Sequence, residues 1–128
     1  MAITGTVARG SVVWLNFYPQ RGNEQAGYHP AIVISDGLID PAHSDLAFVV
    51  PVTSPTKPGY PFHVPVPVGI DINGALAGVS YTTLNGVALT DHAKSLDLSA
   101  RNAIVIGEIP TSSPFYNQVV TYVRAILA

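Results

Sequence analysis

Glycine and proline interrupt this chain so often that long helices are excluded over most of its length. The 128 residues include 11 glycines and 11 prolines, and the segments between them are short and rich in Val, Ile, Tyr, Phe and Thr. Segments of this kind, bounded by turn-forming residues, are typical of β-strands. Strands are predicted over residues 11–17, 31–35, 46–53, 62–68, 87–89 and 103–109.

Only the end of the chain has the pattern of a helix. Ser113 fits an N-cap and Pro114 fits the first helical position. Apolar side chains then recur at spacings of three and four residues, at Phe115, Val119, Tyr122, Val123 and Ile126. Five or six short strands followed by one helix predict a mainly β fold, a small β-barrel with a C-terminal α-helix. The chain length predicts a single domain over residues 1–128.

The predicted strands differ in how deeply they should be buried. Residues 46–53 are a nearly continuous apolar run, which predicts a central strand. Pro65 and Pro67 interrupt residues 62–68, and because proline donates no ladder hydrogen bond, this segment is predicted to be an edge strand or an irregular arm. The polar, glycine-rich residues 18–30 predict a long surface loop.

The composition is unusually apolar for a small domain. Hydrophobic residues make up 48% of the chain and charged residues 11%. This excludes a disordered chain, and the apolar exterior it implies predicts an oligomer. The formal net charge of −2 provides no global positive field for nucleic acid. Cysteine is absent from the sequence, which excludes disulfides, a thiolate nucleophile and a zinc site built on sulfur.

No apolar run reaches the roughly 18 residues that a membrane-spanning helix requires. The first ten residues also lack a charged segment followed by a long apolar core. We therefore expect no membrane association and a cytoplasmic location.

Four short segments carry polar groups that could support chemistry. They are the loop 21–27, His29, the strand end 51–54 and the segment 90–95. The first three also have a purely structural interpretation: a solvated connector, a packing or surface histidine, and hydroxyls that close a turn. For the loop, composition alone favours the solvated connector.

The spacing of the histidines and Asp91 matches neither a proton relay nor a known metal site. Adjacent side chains of an extended chain point to opposite faces, so Asp91 and His92 are not expected to form a relay with each other. A metal site built from His29, His63, His92 and Asp91 lacks a recognised ligand spacing. No metal and no other cofactor are expected.

The order of the motifs resembles the MazF/PemK/Kid family of toxin components from toxin-antitoxin systems. The segment RGSVVW (9–14) is similar to the family's opening RG-[DE]-[IV]-[VI]-W, and PQRGNEQAG (19–27) is similar to P-x-x-G-x-E-Q-x-G. The segments HPAIVIS (29–35), VVPVTS (49–54) and GVALTDHAKSLD (86–97) parallel three further family motifs in the same order. The resemblance covers nearly the whole chain.

The resemblance implies a small SH3-like β-barrel of the PemK/CcdB type that works as a homodimer. It implies a toxin that is a sequence-selective endoribonuclease of single-stranded RNA and needs no metal. The ribose 2′-OH would attack the adjacent phosphorus and leave a 2′,3′-cyclic phosphate. A cognate antitoxin would neutralise the protein, and DNA would be contacted only through that antitoxin.

The resemblance also implies roles for individual residues. Thr53 matches the family's catalytic threonine, a donor to the phosphate, and Asp91 matches an acidic position that in some members takes part in proton transfer. Lys94 matches a basic position suited to phosphate contact. Substrate contacts are further expected from Arg21, Asn23, Glu24, Gln25 and Ser54.

Two positions depart from the family pattern. His29 stands where the family carries a catalytic arginine before proline, and His92 replaces the glutamine after the acid. Arginine is permanently charged, whereas an ordinary histidine is only partly protonated at pH 7. Two interpretations follow: His29 and His92 work as proton carriers together with Thr53 and Asp91, or the chain is a catalytically impaired module that binds an antitoxin or another protein.

Overall fold

The computed structural model describes residues 2–17, 28–53 and 62–127. In this part of the chain there are seven strands and one α-helix. The strands are β1 (Ser11–Asn16), β2 (Tyr28–Val33), β3 (Leu46–Thr53), β4 (His63–Pro65), β5 (Val87–Leu89), β6 (Lys94–Asp97) and β7 (Ile104–Glu108). The helix is α1 (Pro114–Leu127), and two short 3-10 turns cover Gly74–Ala77 and Thr90–His92. The prediction of a mainly β fold with a C-terminal helix is confirmed.

The strands form one antiparallel sheet in which β3 is central. The order is β4-β5-β3-β2-β1-β7, with β6 also paired to β3. One edge of β3 is shared, because Val52 and Thr53 pair with β5 whereas residues 46–49 pair with β6. The predictions of a central β3 and of an edge strand at β4 are both confirmed.

The segment between β4 and β5, which we call the closing loop (residues 66–86), bridges the two ends of the sheet. Its arms are held together by backbone hydrogen bonds, including Ile72 N–H to the Thr82 carbonyl at 3.0 Å. Ile72 also forms a β-bridge with Gly107 of β7. Gly107 permits this approach, because a Cβ there would lie 2.9 Å from the Ile72 side chain. The closing loop thereby gives the curved sheet its barrel-like shape.

Two apolar clusters lie on opposite faces of the sheet. The first is covered by α1 and includes Val12, Ile32, Val50, Val52, Ala88, Phe115, Val119 and Val123. The second includes Val13, Leu15, Phe17, Ala31, Val33, Val49 and Leu96. Burial raises the pKa of the Tyr116 hydroxyl on α1, and nearby Arg9 partly opposes that increase.

The start of α1 agrees with its sequence signature. The Ser113 hydroxyl accepts a hydrogen bond from the Tyr116 backbone N–H at 3.3 Å, and the Ser113 carbonyl accepts one from Asn117. Ser113 therefore caps the helix ahead of Pro114. No helix among the described residues has both the length and the apolar character needed to cross a bilayer.

Three strand predictions need correction. β4 covers only His63–Pro65 instead of residues 62–68. β2 begins at Tyr28 rather than at residue 31, because Tyr28 and His29 continue the pairing with Asn16 and Leu15 of β1 despite the proline that follows. The sequence predicts no strand at β6, since only Leu96 of its four residues is buried and a strand this short carries no clear alternation.

Candidate active site

His29 and Thr53 lie across from each other at the ends of two neighbouring strands. Ala31 of β2 pairs with Pro51 of β3. In an antiparallel ladder, a step of two residues back along one strand corresponds to a step of two residues forward along its partner. His29 is therefore opposite Thr53. Both residues are half-buried and line one cavity of about 230 Å³. An imidazole and a hydroxyl are thus presented to the same space.

Aromatic rings form another wall of this cavity. Trp14 on β1 stacks with Tyr28 at 6.3 Å between ring centroids, and Tyr81 of the closing loop lies 6.2 Å from Trp14 at a tilted angle. All three rings line the cavity together with Thr83 and Asn85. Sequence reasoning missed this wall, because nothing in the local pattern indicates that residue 81 returns to β1.

Lys94 approaches the same face of the sheet from β6. Its Nζ lies 5.6 Å from the centroid of the Phe17 ring, a cation–π arrangement, and Phe17 lies 5.9 Å from the His29 ring. The Arg101 side chain donates a hydrogen bond of 2.6 Å to the Phe17 carbonyl and so fixes the end of β1. Phe17 therefore separates Lys94 from His29, and Lys94 does not line the cavity itself.

Asp91 and His92 belong to a second polar group, which also contains His63. Asp91 Oδ1 lies 3.3 Å from His63 Nε2 and 3.9 Å from His92 Nε2. The expectation that Asp91 and His92 point to opposite faces is wrong, because residues 90–92 form a 3-10 turn rather than an extended segment. His63 arrives from the neighbouring strand β4, where it pairs with Leu89.

The two groups are separated within one chain. Thr53 pairs with Val87 on β5, and β4, which carries His63, is one strand further. Two interstrand steps correspond to about 10 Å. Neither Asp91 nor His92 lines the cavity of His29 and Thr53. The structure thus brings His29 and Thr53 together, and Asp91 and His92 together, but not the two pairs.

Permanent positive charge is absent from the cavity wall as far as the described residues go, since neither Lys nor Arg contributes to it. The described residues also contain no cluster of three or more His, Asp or Glu side chains suited to a metal ion. Arg21, Asn23, Glu24, Gln25 and Ser54, predicted to contact substrate, lie outside the described residues. The predictions made for them stay predictions.

Comparison with known proteins identifies the family. A sequence model of PemK-like, MazF-like toxins of type II toxin-antitoxin systems matches residues 8–127. This chain belongs to that family. Endoribonuclease toxin MazF of Escherichia coli strain K12 is 35% identical over 100 residues, which are 78% of this chain and 77% of that protein. The sequence resemblance is confirmed.

Solved structures of family members share the fold. A crystal structure of MazF from Deinococcus radiodurans has a TM-score of 0.71 and 35% identity, covering 96% of this chain and 97% of that chain. A chain from a crystal structure of MazE-MazF from the same organism has a TM-score of 0.70 and 30% identity, covering 97% of each chain. The barrel-like fold expected for a toxin of this family is therefore confirmed.

Proposed function

We propose that this toxin-family chain is a metal-independent endoribonuclease that cleaves single-stranded RNA by attack of a ribose 2′-OH on the adjacent phosphorus. The observation that carries the proposal is the placement of His29 and Thr53 across from each other in one cavity. The 35% identity to an endoribonuclease toxin supports the same reaction class.

The reaction requires two proton transfers and charge stabilisation. The 2′-OH loses a proton as its oxygen bonds to phosphorus, and the departing 5′-oxygen gains a proton as its bond to phosphorus breaks. The products are a 2′,3′-cyclic phosphate and a 5′-OH. Meanwhile negative charge accumulates on the non-bridging oxygens, where preorganised donors stabilise the transition state.

His29 and Thr53 fit two of these tasks. The imidazole can take or give a proton near neutral pH. The Thr53 hydroxyl can donate a hydrogen bond to a non-bridging oxygen. Lys94, on the same face behind Phe17, adds positive charge near the backbone of the bound strand. Asp91 and His92 are assigned the complementary proton transfer. Because both transfers occur at one phosphate, this assignment requires that phosphate to lie between the two groups, within reach of His29 and of the Asp91–His92 group.

The proposal includes partners. A MazE-MazF complex is among the structures that match the chain. We assign to this toxin a cognate antitoxin that orders on binding across the groove beside residues 62–68, where RNA would otherwise lie. The toxin is assigned a homodimeric state and a cytoplasmic location, and it contacts DNA only through the antitoxin.

A second function is favoured by one observation. The cavity wall formed by the described residues carries no arginine or lysine, and His29 stands where the family has arginine. Losing a charged transition-state donor costs roughly a hundredfold to a thousandfold in rate. The alternative is a catalytically impaired member that acts through antitoxin or protein binding.

The purified protein incubated with mixed single-stranded RNA at several pH values separates the two functions, with cyclic-phosphate ends as the readout. Cleavage that persists in EDTA supports the nuclease proposal. Activity that EDTA abolishes and one divalent metal restores contradicts the metal-independent mechanism. Absence of cyclic-phosphate ends at every pH favours the binding module. If RNA and antitoxin bind together without weakening each other, the shared-groove proposal is wrong.

A further inference from the structure

The closing loop carries an aromatic side chain that no element of the family resemblance explains. Tyr81 is 55% exposed, yet its ring lies 6.2 Å from Trp14, beside the cavity of His29 and Thr53. Two hydrogen bonds fix the loop at this point: Gly74 N–H donates to the Tyr81 carbonyl at 3.1 Å, and Ile72 N–H donates to the Thr82 carbonyl. These hydrogen bonds fix the backbone that carries Tyr81, and its ring is therefore held beside the cavity.

The polar neighbours of Tyr81 are oriented. Asn85 Nδ2 lies 3.1 Å from the Thr83 hydroxyl and 3.4 Å from the Thr83 carbonyl. A carbonyl only accepts hydrogen bonds, so the nitrogen of the carboxamide faces Thr83. The Asn85 Oδ1 is left on the other side of the carboxamide as an acceptor, and Asn85 lines the cavity.

We propose that Trp14, Tyr81 and Asn85 form a nucleobase subsite next to His29 and Thr53. One unpaired base stacks on the Tyr81 and Trp14 rings, and Asn85 Oδ1 accepts a hydrogen bond from its exocyclic amino group. This inference rests on the proposed RNA-cleaving function and adds the kind of base that is bound. Because uracil has no exocyclic amino group, the subsite prefers adenine, cytosine or guanine.

The chemistry and size of the site agree with a single base. Single-stranded RNA is recognised by stacking unpaired bases on aromatic rings and by hydrogen bonds to their edges. The cavity of about 230 Å³ lies below the roughly 300 Å³ at which pockets for drug-sized ligands begin, so it suits a fragment such as one base. No Lys, Arg, Asp or Glu side chain among the described residues lines it, as expected for a neutral ring.

The chain supplies its own probe for this subsite. Trp14 is the only tryptophan in the sequence. A base that stacks on it changes its fluorescence, so binding is measured without cleavage. The ligands are single-stranded hexanucleotides with 2′-fluoro sugars, which lack the attacking hydroxyl. One has a mixed sequence, one contains uridine only, and a further series has the mixed sequence with one base missing from each member.

The variants isolate the Tyr81 ring. Tyr81→Ala is expected to weaken binding of the mixed hexanucleotide by about tenfold to a hundredfold, the usual cost of losing one stacked base. Tyr81→Phe keeps the ring and is expected to bind like the wild type. Leu76→Ala is the matched control, because Leu76 is on the same loop, is 56% exposed and does not line the cavity.

Base removal and base identity complete the test. Removing the stacked base is expected to erase the difference between wild type and Tyr81→Ala. Asn85→Ala is expected to lower the preference for the mixed over the uridine hexanucleotide. Equal binding by wild type and Tyr81→Ala, or a loss of binding in Leu76→Ala as large as in Tyr81→Ala, contradicts the subsite.

The outcomes also separate the subsite from the function on which it rests. If the wild type cleaves RNA and Tyr81→Ala binds equally well, only the subsite proposal fails. If the wild type binds none of the hexanucleotides and cleaves no RNA, the proposed function fails and the subsite fails with it.

Discussion

Gly86 lies directly against the backbone carbonyl of Thr53, so close that a Cβ on Gly86 would overlap the carbonyl oxygen. The φ angle of Gly86 is +122°, a backbone conformation that favours glycine. Gly86 thus allows β5 to begin beside the end of β3, where Thr53 faces the cavity.

Gly86→Ala is expected to displace Thr53. The RNA cleavage rate should therefore fall by more than the loss of folded protein accounts for. The unfavourable backbone conformation alone costs on the order of 1–3 kcal/mol of unfolding free energy. Gly69→Ala is the matched control, since Gly69 has a φ of +100° but no atom within 4 Å of its added Cβ. Denaturant unfolding and initial cleavage rates are measured for both variants. Wild-type cleavage by folded Gly86→Ala would contradict the positional role.

The second polar group gives a prediction about proton transfer. Asp91→Asn is expected to lower the cleavage rate by about a hundredfold, with little change in RNA binding. This is the lower end of the range usual for one general acid or base. His63→Gln is expected to change the pH profile, because His63 Nε2 lies 3.3 Å from the Asp91 carboxylate.

Asp40→Asn is the control for this pair, because Asp40 makes a comparable contact of 3.1 Å with the exposed His43. Its cleavage rate and pH profile are expected to stay unchanged. Equal rates for Asp91→Asn and the wild type would show that Asp91 takes no part in proton transfer, and His29 would then need another partner.

The protein is expected to be a homodimer in solution. Large apolar side chains are exposed on the described surface, among them Ile39, Val68, Ile126 and Leu127. A symmetric copy is the commonest way for a soluble chain to cover such groups. Light scattering is expected to give twice the chain mass of 13.5 kDa. A mass of one chain at micromolar concentration would contradict the dimer.

Stability is expected to fall at alkaline pH in a way that depends on Tyr116. Burial raises the pKa of this hydroxyl in the folded state. The stabilisation is fully present below the ordinary tyrosine pKa of about 10 and is lost as pH rises through the raised value. Tyr116→Phe should flatten this decline in urea unfolding between pH 9 and 11, whereas Tyr81→Phe should not. Identical curves for wild type and Tyr116→Phe would contradict the prediction.

Much of the fold could be predicted because local patterns dictate it. The apolar run of β3 and the Ser113–Pro114 start of α1 are each read from a few consecutive residues. β6 lacks such a signal, because one buried leucine among four residues has no period. The sequence predicts a loop for the first residues of β2, since Pro30 interrupts the strand pattern although pairing with β1 continues past it.

The site was harder to predict because it depends on long-range contacts. His29 and Thr53 could be named from the family resemblance, and the sheet register brings them together. Tyr81 meets Trp14 only because the closing loop returns to β7 and β1, and no spacing in the sequence encodes that return. The contact between His63 and Asp91 likewise depends on the pairing of β4 with β5.

His29 is the residue on which the proposed mechanism depends most. If it acts as an acid or a cation, cleavage should decline as pH rises, because the protonated imidazole is lost. His29→Arg should hold its rate at pH 8, since arginine stays charged. His29→Gln tests geometry, because it donates a hydrogen bond without titrating.

The most direct measurement is the initial rate of cyclic-phosphate formation by wild type and His29→Ala from pH 5 to 9. The mechanism predicts that the alanine variant loses about a hundredfold or more in rate, as expected for a transition-state donor, and that only the wild type shows a decline with rising pH. A wild type that is inert at every pH, with cleavage only by His29→Arg, would support the impaired binding module. Equal rates for wild type and His29→Ala over the whole range would contradict the assignment of His29 to catalysis.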